Sequence, residues 1–91
     1  MAALFSLGSI VATPGALSLL ADTQTDPLAL LSRHVRGDWG EVPPEDAAEN
    51  KYSVQHGFRI ISSYTLGARD RVWVITEHDR SVTTLLLPSE Y

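Results

Sequence analysis

The sequence has 91 residues, a formal net charge of −4, 44% hydrophobic and 20% charged residues, and no cysteine. This length fits one domain spanning residues 1–91, and the composition excludes a disordered or fibrous chain. The absence of cysteine excludes disulfides and thiolate metal sites, and it favours a cytoplasmic location. The acidity argues against direct DNA binding, because proteins that hold phosphates normally have a basic face, and it suits a chain that meets a basic protein partner.

The N-terminal stretch is apolar but does not match an export signal. It has no positive charge at its start, and Gly8 and Ser9 interrupt the apolar run, so we interpret it as mature structure. No apolar run approaches the ~20 residues that cross a bilayer, so no membrane association is predicted. Ser9–Thr13 is rich in β-branched residues and predicts a short strand.

Three helices are predicted to follow, and prolines mark the start of each. Thr13-Pro14 and Asp26-Pro27 each combine an N-cap residue with proline at the first helical position. Gly37 and Gly57 are placed to end the second and third helices. The predicted helices run from Pro14 to about Leu20, from Pro27 to about Arg36, and from the Val42–Asp46 segment to about Gln55.

The second and third helices have different predicted faces. Leu28, Leu31 and Val35 lie on one face of the second helix, which we expect to cover the sheet. The third helix is mostly polar, and Ala48, Tyr52 and Gln55 are predicted to form a thin inner stripe. We therefore expect the third helix to lie half exposed.

Three β-rich runs complete the chain and predict an antiparallel meander. The polar segment Glu77–Ser81 joins the last two runs as a hairpin turn. Apolar residues occur on both faces of these two strands, which implies either helices on both sides or a face used for association, for example in a homodimer. The predicted fold is α+β, with two or three helices packed on a small antiparallel sheet in the order β-α-α-α-β-β-β. The runs are Phe58–Leu66, Arg71–Thr76 and Val82–Leu87.

Polar residues near one end of the sheet form a candidate catalytic site. Glu77 and Arg80 lie in the hairpin turn and His34 ends the second helix, so together they would supply an acid–base pair with a cation. Such a trio could abstract a ribose 2′-hydroxyl proton and stabilise a phosphorane, with Thr84 as a further hydroxyl. The alternative is structural: turns are polar in any protein, and His34 is a half-buried residue favoured by the helix dipole. The histidines have no zinc-ligand spacing, so no metal and no cofactor is predicted.

A second set of residues is predicted to bind a protein partner. Trp39 lies in the tight loop Gly37–Gly40, where an exposed tryptophan would anchor an interface and a buried one would only fill space. Acidic residues cluster around the start of the third helix and suit a basic partner. The predicted partner-binding residues are Asp38, Trp39, Glu41, Glu45, Asp46 and Glu49.

A series of short motifs runs through nearly the whole chain. They are Leu7-Gly8, Ile10–Leu17, Arg33-His34, Gly37–Gly40, Ser63-Tyr64, Ile75–Glu77, Asp79–Ser81, Thr83-Thr84 and Leu87–Tyr91. In this order they resemble a family of small bacterial proteins that are carried mainly on plasmids, integrative elements and prophages and are described as plasmid-related proteins. The resemblance implies a mobile-element setting and implies no activity.

Two classes of function are consistent with these features. A small, acidic, cysteine-free product of a mobile element is similar in size and charge to anti-CRISPR and antirestriction proteins, which occlude nucleic-acid-handling machinery of the host. This similarity predicts an inhibitor that acts by protein binding. The alternative is a small metal-independent ribonuclease, because helices packed on an antiparallel sheet look like the barnase–RelE–colicin group. The net acidity favours the inhibitor.

Overall fold

The structure, a computed structural model, describes residues 3–91. Met1 and Ala2, the start of the segment that we interpret as mature structure, lie outside this range. The elements follow the predicted order β-α-α-α-β-β-β, which confirms an α+β fold. None of the helices in residues 3–91 has the length and apolar character needed to cross a membrane. The elements are β1 (Ser9–Ala12), α1 (Pro14–Asp22), α2 (Pro27–Val35), α3 (Pro44–His56), β2 (Ile60–Leu66), β3 (Asp70–Thr76), β4 (Val82–Leu86) and a final 3₁₀ turn (Pro88–Glu90).

The four strands form one mixed sheet in the order β1-β4-β3-β2. Strands β2, β3 and β4 pair antiparallel, as the meander predicts. Strand β1 pairs parallel to β4, with Ser9 opposite Val82, so the sheet is not wholly antiparallel. Parallel neighbours need a long crossover connection. The chain between β1 and β4, which contains all three helices and strands β2 and β3, supplies it.

Helices α1 and α2 begin, and α3 ends, at predicted capping residues. The Thr13 hydroxyl accepts the N–H of Ala16 at 3.2 Å, and the Asp26 carboxylate accepts the N–H of Leu28 at 2.9 Å. Gly57 ends α3 in the left-handed conformation with a φ of 74°. These contacts satisfy backbone groups that the helix itself leaves unpaired.

Helices α1 and α2 pack on one face of the sheet, which we name the covered face. Leu30, Leu31 and His34 form the buried side of α2, whereas Leu28 is 66% exposed. The prediction that Leu28 covers the sheet was therefore wrong, because the buried stripe is rotated around the helix away from that residue. The core of the covered face contains Ala16, Leu20, Leu30, Leu31, Tyr64, Leu66, Val72, Val74 and Leu85.

Helix α3 lies against the outer edge of β2. Its buried residues include Asn50 and Ser53, while Ala48 and Tyr52 are exposed, so the predicted inner stripe was wrong. The physical reason is that α3 packs on the backbone of an edge strand. The Asn50 amide donates to the Ile61 carbonyl at 2.8 Å and accepts the Ile61 N–H at 3.1 Å. A polar side chain is therefore needed at the contact.

We expect Asn50→Asp to lower the free energy of unfolding by about 2–3 kcal/mol. Asp retains the shape of Asn50 and its acceptor, but it loses the donor and places a carboxylate against the Ile61 carbonyl oxygen. Chemical denaturation near neutral pH measures this loss. Gln55→Glu, a matched amide-to-acid change at an exposed position of α3, should cost less than about 1 kcal/mol. Equal losses in the two variants would contradict the role of Asn50.

Candidate binding groove

The face of the sheet that α1 and α2 leave uncovered is named the open face. A groove of about 850 Å³ lies between α3 and the open face. Because side chains alternate along a strand, Ile61 and Ser63 of β2 and Arg71 and Trp73 of β3 lie on it. Binding sites for small ligands commonly enclose about 300–1,000 Å³, so the groove has room for a ligand or for a few side chains of a partner protein.

The sheet side of the groove has accessible aromatic surface. Trp73 is half-buried and makes an edge-on contact with Tyr91, with ring centroids 5.5 Å apart. The Arg59 guanidinium lies 5.7 Å from the Tyr91 ring centroid, within the range of a cation–π contact. Tyr91 is itself 64% exposed. A bound molecule would therefore meet ring surfaces that the protein core does not use.

A second aromatic group lies where α3 ends. Tyr52 stacks on His56 with centroids 4.0 Å apart and on Phe58 with centroids 5.9 Å apart. Tyr52 and Phe58 both line the groove, and more than half of each side chain is exposed. Exposed aromatic side chains are enriched at protein–protein interfaces, so this group favours a protein ligand.

Acidic residues line the groove, among them Glu41, Asp46 and Glu49. Within residues 3–91 the one ion pair joins Arg33 and Asp38, so these three carboxylates are not neutralised by a direct ion pair in the described part of the chain. The same residue range contains no group of three His, Asp or Glu side chains that could hold a metal ion. These carboxylates are thus suited to cationic groups of a partner.

Glu41 also has a structural contact. Its carboxylate accepts hydrogen bonds from the backbone N–H and the hydroxyl of Thr65. The hydrogen bond from the Thr65 hydroxyl is the main cause that lowers the pKa of Glu41. Glu41 therefore stays charged at neutral pH, and its position beside β2 is fixed.

Two arginines lie on the opposite, strand side of the groove. Arg59 precedes β2 and Arg71 lies on β3, and both line the groove with exposed side chains. Arg71 donates to the Ser63 hydroxyl at 3.3 Å. The groove therefore contains charges of both signs. Asp46 and Glu49 lie on α3, and the two arginines lie on the strand side together with the carboxylates of Glu41 and Glu77.

Three predicted partner-binding residues, Asp38, Trp39 and Glu45, do not line the groove. Asp38 accepts a hydrogen bond from Arg33 at 2.7 Å, and this bond is the main cause that lowers the pKa of Asp38. Trp39 is half-buried and stacks on Phe5, with centroids 6.3 Å apart. This contact favours the packing alternative for Trp39. Glu45 lies exposed on α3 outside the groove.

His34, a predicted catalytic residue, belongs to a buried hydrogen-bond chain. Its Nδ1 lies 2.6 Å from the Ser62 hydroxyl and its Nε2 lies 2.9 Å from the Thr76 hydroxyl. Thr83 donates its proton to the Leu7 carbonyl at 2.7 Å. The Thr76 hydroxyl, 2.7 Å from that of Thr83, must therefore donate to Thr83 and accept from His34. The chain of hydrogen bonds therefore places a proton on Nε2 of His34.

The prediction that His34 is half-buried was wrong, because its side chain is fully buried. Phe5 and Trp39 cover the ring with edge-on contacts at centroid distances of 5.3 and 6.0 Å. Burial lowers the pKa of His34 to about 4, since the charged form would lose its hydration. At neutral pH the imidazole is thus a structural group of the core.

The structure does not bring His34, Glu77 and Arg80 into one cleft. His34 contacts Thr76 on the covered face, whereas the next residue, Glu77, lines the groove on the opposite side of the sheet. Thr84 lies half-buried on the open face and lines no part of the groove. The Arg80 guanidinium is held by four backbone carbonyl groups, those of Ser53, Phe58, Glu77 and His78.

Several residues of the groove were not predicted from the sequence. Side chains alternate between the two faces of β2 and β3, and this alternation places Arg59 and Trp73 on the face opposite the core. The sequence pattern could therefore have indicated that these two residues are accessible to a ligand. Tyr91 gave no such signal. Its position depends on the final 3₁₀ turn, where the Glu90 carboxylate accepts the Thr13 hydroxyl at 2.5 Å and so fixes the turn beside α1.

Comparisons with protein-family models, with curated proteins and with solved structures gave no match to this chain. The resemblance to plasmid-related proteins therefore rests on the sequence motifs alone and stays a prediction. The chemistry of the groove is the basis on which a function can be argued.

Proposed function

We propose that this chain binds a protein partner through the groove and thereby inhibits host machinery that handles nucleic acid. The observation that carries the proposal is the combination of unpaired carboxylates, including Asp46 and Glu49, with the exposed rings of Tyr52 and Phe58 in one groove. Protein interfaces commonly combine apolar anchors with charged groups at the rim. Carboxylates give orientation and association rate, and the rings give contact area.

The partner that fits this surface is a basic protein. Proteins that handle DNA or RNA have basic surfaces that hold phosphates, and a chain with a net charge of −4 is steered toward such surfaces. Occupation of that surface would exclude the nucleic acid. This is the mode of an anti-CRISPR-like or antirestriction-like inhibitor, and the mobile-element setting that the motifs imply agrees with it.

The positions of the carboxylates on α3 and of the arginines on the strand side suggest how the partner segment is oriented. A lysine or arginine of the partner would point toward Asp46 and Glu49 on α3, where the charge is complementary. A carboxylate or backbone carbonyl of the same segment would meet Arg59 and Arg71 on the strand side. A segment with groups of both signs is thus preferred over a uniformly basic one.

No contact within residues 3–91 favours the ribonuclease alternative. His34, one member of its predicted acid–base trio, is fully buried and hydrogen-bonded at both ring nitrogens. Contact with a ribose hydroxyl would require the core around Phe5 and Trp39 to open. The inhibitor is therefore the function that the geometry supports best.

A pull-down tests the proposal. The tagged protein is mixed with extract of a host that has active CRISPR and restriction systems, at low and at moderate salt. We expect one stoichiometric nucleic-acid-binding complex, which is released as salt rises. Asp46→Lys combined with Glu49→Lys should weaken its binding about tenfold or more, because attractive contacts become repulsive.

The matched control combines Asp22→Lys with Asp70→Lys. Both residues are exposed, lie outside the groove, and change the net charge by the same amount. The control should retain binding close to that of the unmodified chain. An equal loss in both double variants would show that bulk charge acts instead of the groove. An empty pull-down would contradict the inhibitor and lead to an RNA-cleavage assay with Glu77→Ala as the control.

A further inference from the structure

The two edges of the sheet differ in how their backbone groups are satisfied. At the β2 edge, Ser63 donates to the Trp39 carbonyl and accepts from the Glu41 N–H, and the Asn50 side chain covers Ile61. Unpaired edges attract other strands, and proteins commonly block them in this way. The β2 edge is therefore closed to further pairing.

The β1 edge is open. Ser9 and Thr13 donate their N–H groups to carbonyls on the β4 side, at 2.9 and 3.0 Å. Because successive backbone groups of a strand point to opposite sides, the N–H and C=O of Ile10 and Ala12 face away from β4. No loop, turn or side chain within residues 3–91 hydrogen-bonds to these groups. They are free to pair with another strand.

The side chains of β1 also lack the usual protection. Ile10 is 49% and Val11 is 47% exposed, and they lie on opposite faces of the strand. The strand contains no lysine, proline or other residue that prevents edge pairing. The first charged residue of the whole chain is Asp22. An apolar, uncharged strand edge is thus exposed in an otherwise acidic protein.

We propose that β1 pairs antiparallel with β1 of a second copy of this chain. A two-fold axis perpendicular to the sheet would place Val11 opposite Val11 of the second copy and Ile10 opposite Ala12 of the second copy. Each Ile10–Ala12 pair would exchange both of its N–H···O bonds, so all the outward backbone groups of both residues would be satisfied. The two sheets would join into one continuous sheet, with α1 of each copy on the same side.

Charge identifies a second copy as the occupant. Two chains with a net charge of −4 repel each other over most of their surfaces. Two copies would repel each other least at the uncharged β1 edge. A basic partner would find no opposite charge at this edge. The edge is also self-complementary, since it offers donors and acceptors alternately, as an isologous two-fold interface requires. The pairing does not involve the groove and does not depend on the function proposed for it.

Sedimentation velocity from low-micromolar to near-millimolar concentration tests the pairing. We expect a monomer–dimer equilibrium for the unmodified chain and a monomer for Val11→Lys and for Ile10→Lys. The first change places two like charges directly opposite each other at the axis, and the second places two like charges diagonally across it. Leu28→Lys is the matched control. Leu28 is 66% exposed and lies at the start of α2, so this variant should dimerise like the unmodified chain.

Amide exchange of the unmodified chain decides the geometry independently of any variant. The Ile10 and Ala12 amides should exchange more slowly as concentration rises, while the amide of Gly67, in the β2–β3 turn, should be unchanged. A chain that stays monomeric at the highest concentration would overturn the proposal. A dimer in which amide exchange at Ile10 and Ala12 does not depend on concentration would also overturn it. A dimer that still forms in both lysine variants would do the same.

Discussion

Lowering the pH from about 6.5 to about 4 should reduce the free energy of unfolding by on the order of 3 kcal/mol through His34 alone. The folded chain holds His34 neutral, with its pKa lowered to about 4 by burial. The unfolded chain binds a proton at an ordinary pKa near 6.5. In this interval the unfolded state therefore binds more protons, and stability falls as pH falls. Urea denaturation at a series of pH values measures the slope.

The matched variant for this effect is His34→Gln. Glutamine offers one donor and one acceptor to Ser62 and Thr76 and does not titrate, so its slope between pH 6.5 and about pH 5 should be close to zero. The carboxylates with lowered pKa values, among them Asp38 and Glu41, begin to lose their contributions below about pH 5, where the unfolded chain starts to bind protons at its carboxyl groups. An unchanged slope in His34→Gln would refute the assignment. Ring carbon and nitrogen shifts of His34 should report the neutral tautomer with its proton on Nε2.

Gly40→Ala should lower the free energy of unfolding by at least about 3 kcal/mol. Gly40 has a φ of +72°, and a Cβ atom there would overlap the Ser63 carbonyl oxygen. The segment from Trp39 to Glu41 would have to move away from β2, and its hydrogen bonds with Ser63 would be lost. Thermal and chemical denaturation measure the loss.

Gly57→Ala separates the two causes of this destabilisation. Gly57 has a similar φ of +74°, but no heavy atom lies within 4 Å of the position that a Cβ would take. Its substitution should therefore cost only the conformational strain, about 1–2 kcal/mol. If the two alanine variants were equally stable, close approach to the Ser63 carbonyl would not be the reason for glycine at position 40.

The helices were predictable from sequence because their signals are local. Thr13 and Asp26 cap the helices that start at Pro14 and Pro27, and Gly57 closes α3. The meander was predictable for the same reason, since alternation and a polar turn lie next to each other in the chain. The parallel pairing of β1 with β4 was not predictable, because β1 contains no feature that selects a partner so distant in sequence.

The candidate site was less predictable because it depends on long-range packing. His34 has an ordinary position at the end of a helix, and its burial follows from Phe5 and Trp39, which the sequence alone does not place beside it. Likewise, α3 packs through Asn50 on a strand edge and not through an apolar stripe. The acidic residues Asp46 and Glu49 were identified from composition, and only the fold placed them beside Trp73.

The pairing of Ser9 with Val82 also has a consequence for biosynthesis. Residues 9–12 leave the ribosome long before residues 82–86 are synthesised. Strand β1 therefore has no strand to pair with while most of the chain is translated. Contacts between segments so far apart are slow to form, and exposed strand edges promote aggregation during such intervals. The sheet is completed only when its first strand docks on its last, and the rate of that docking sets how long an uncharged apolar segment is exposed in the cell.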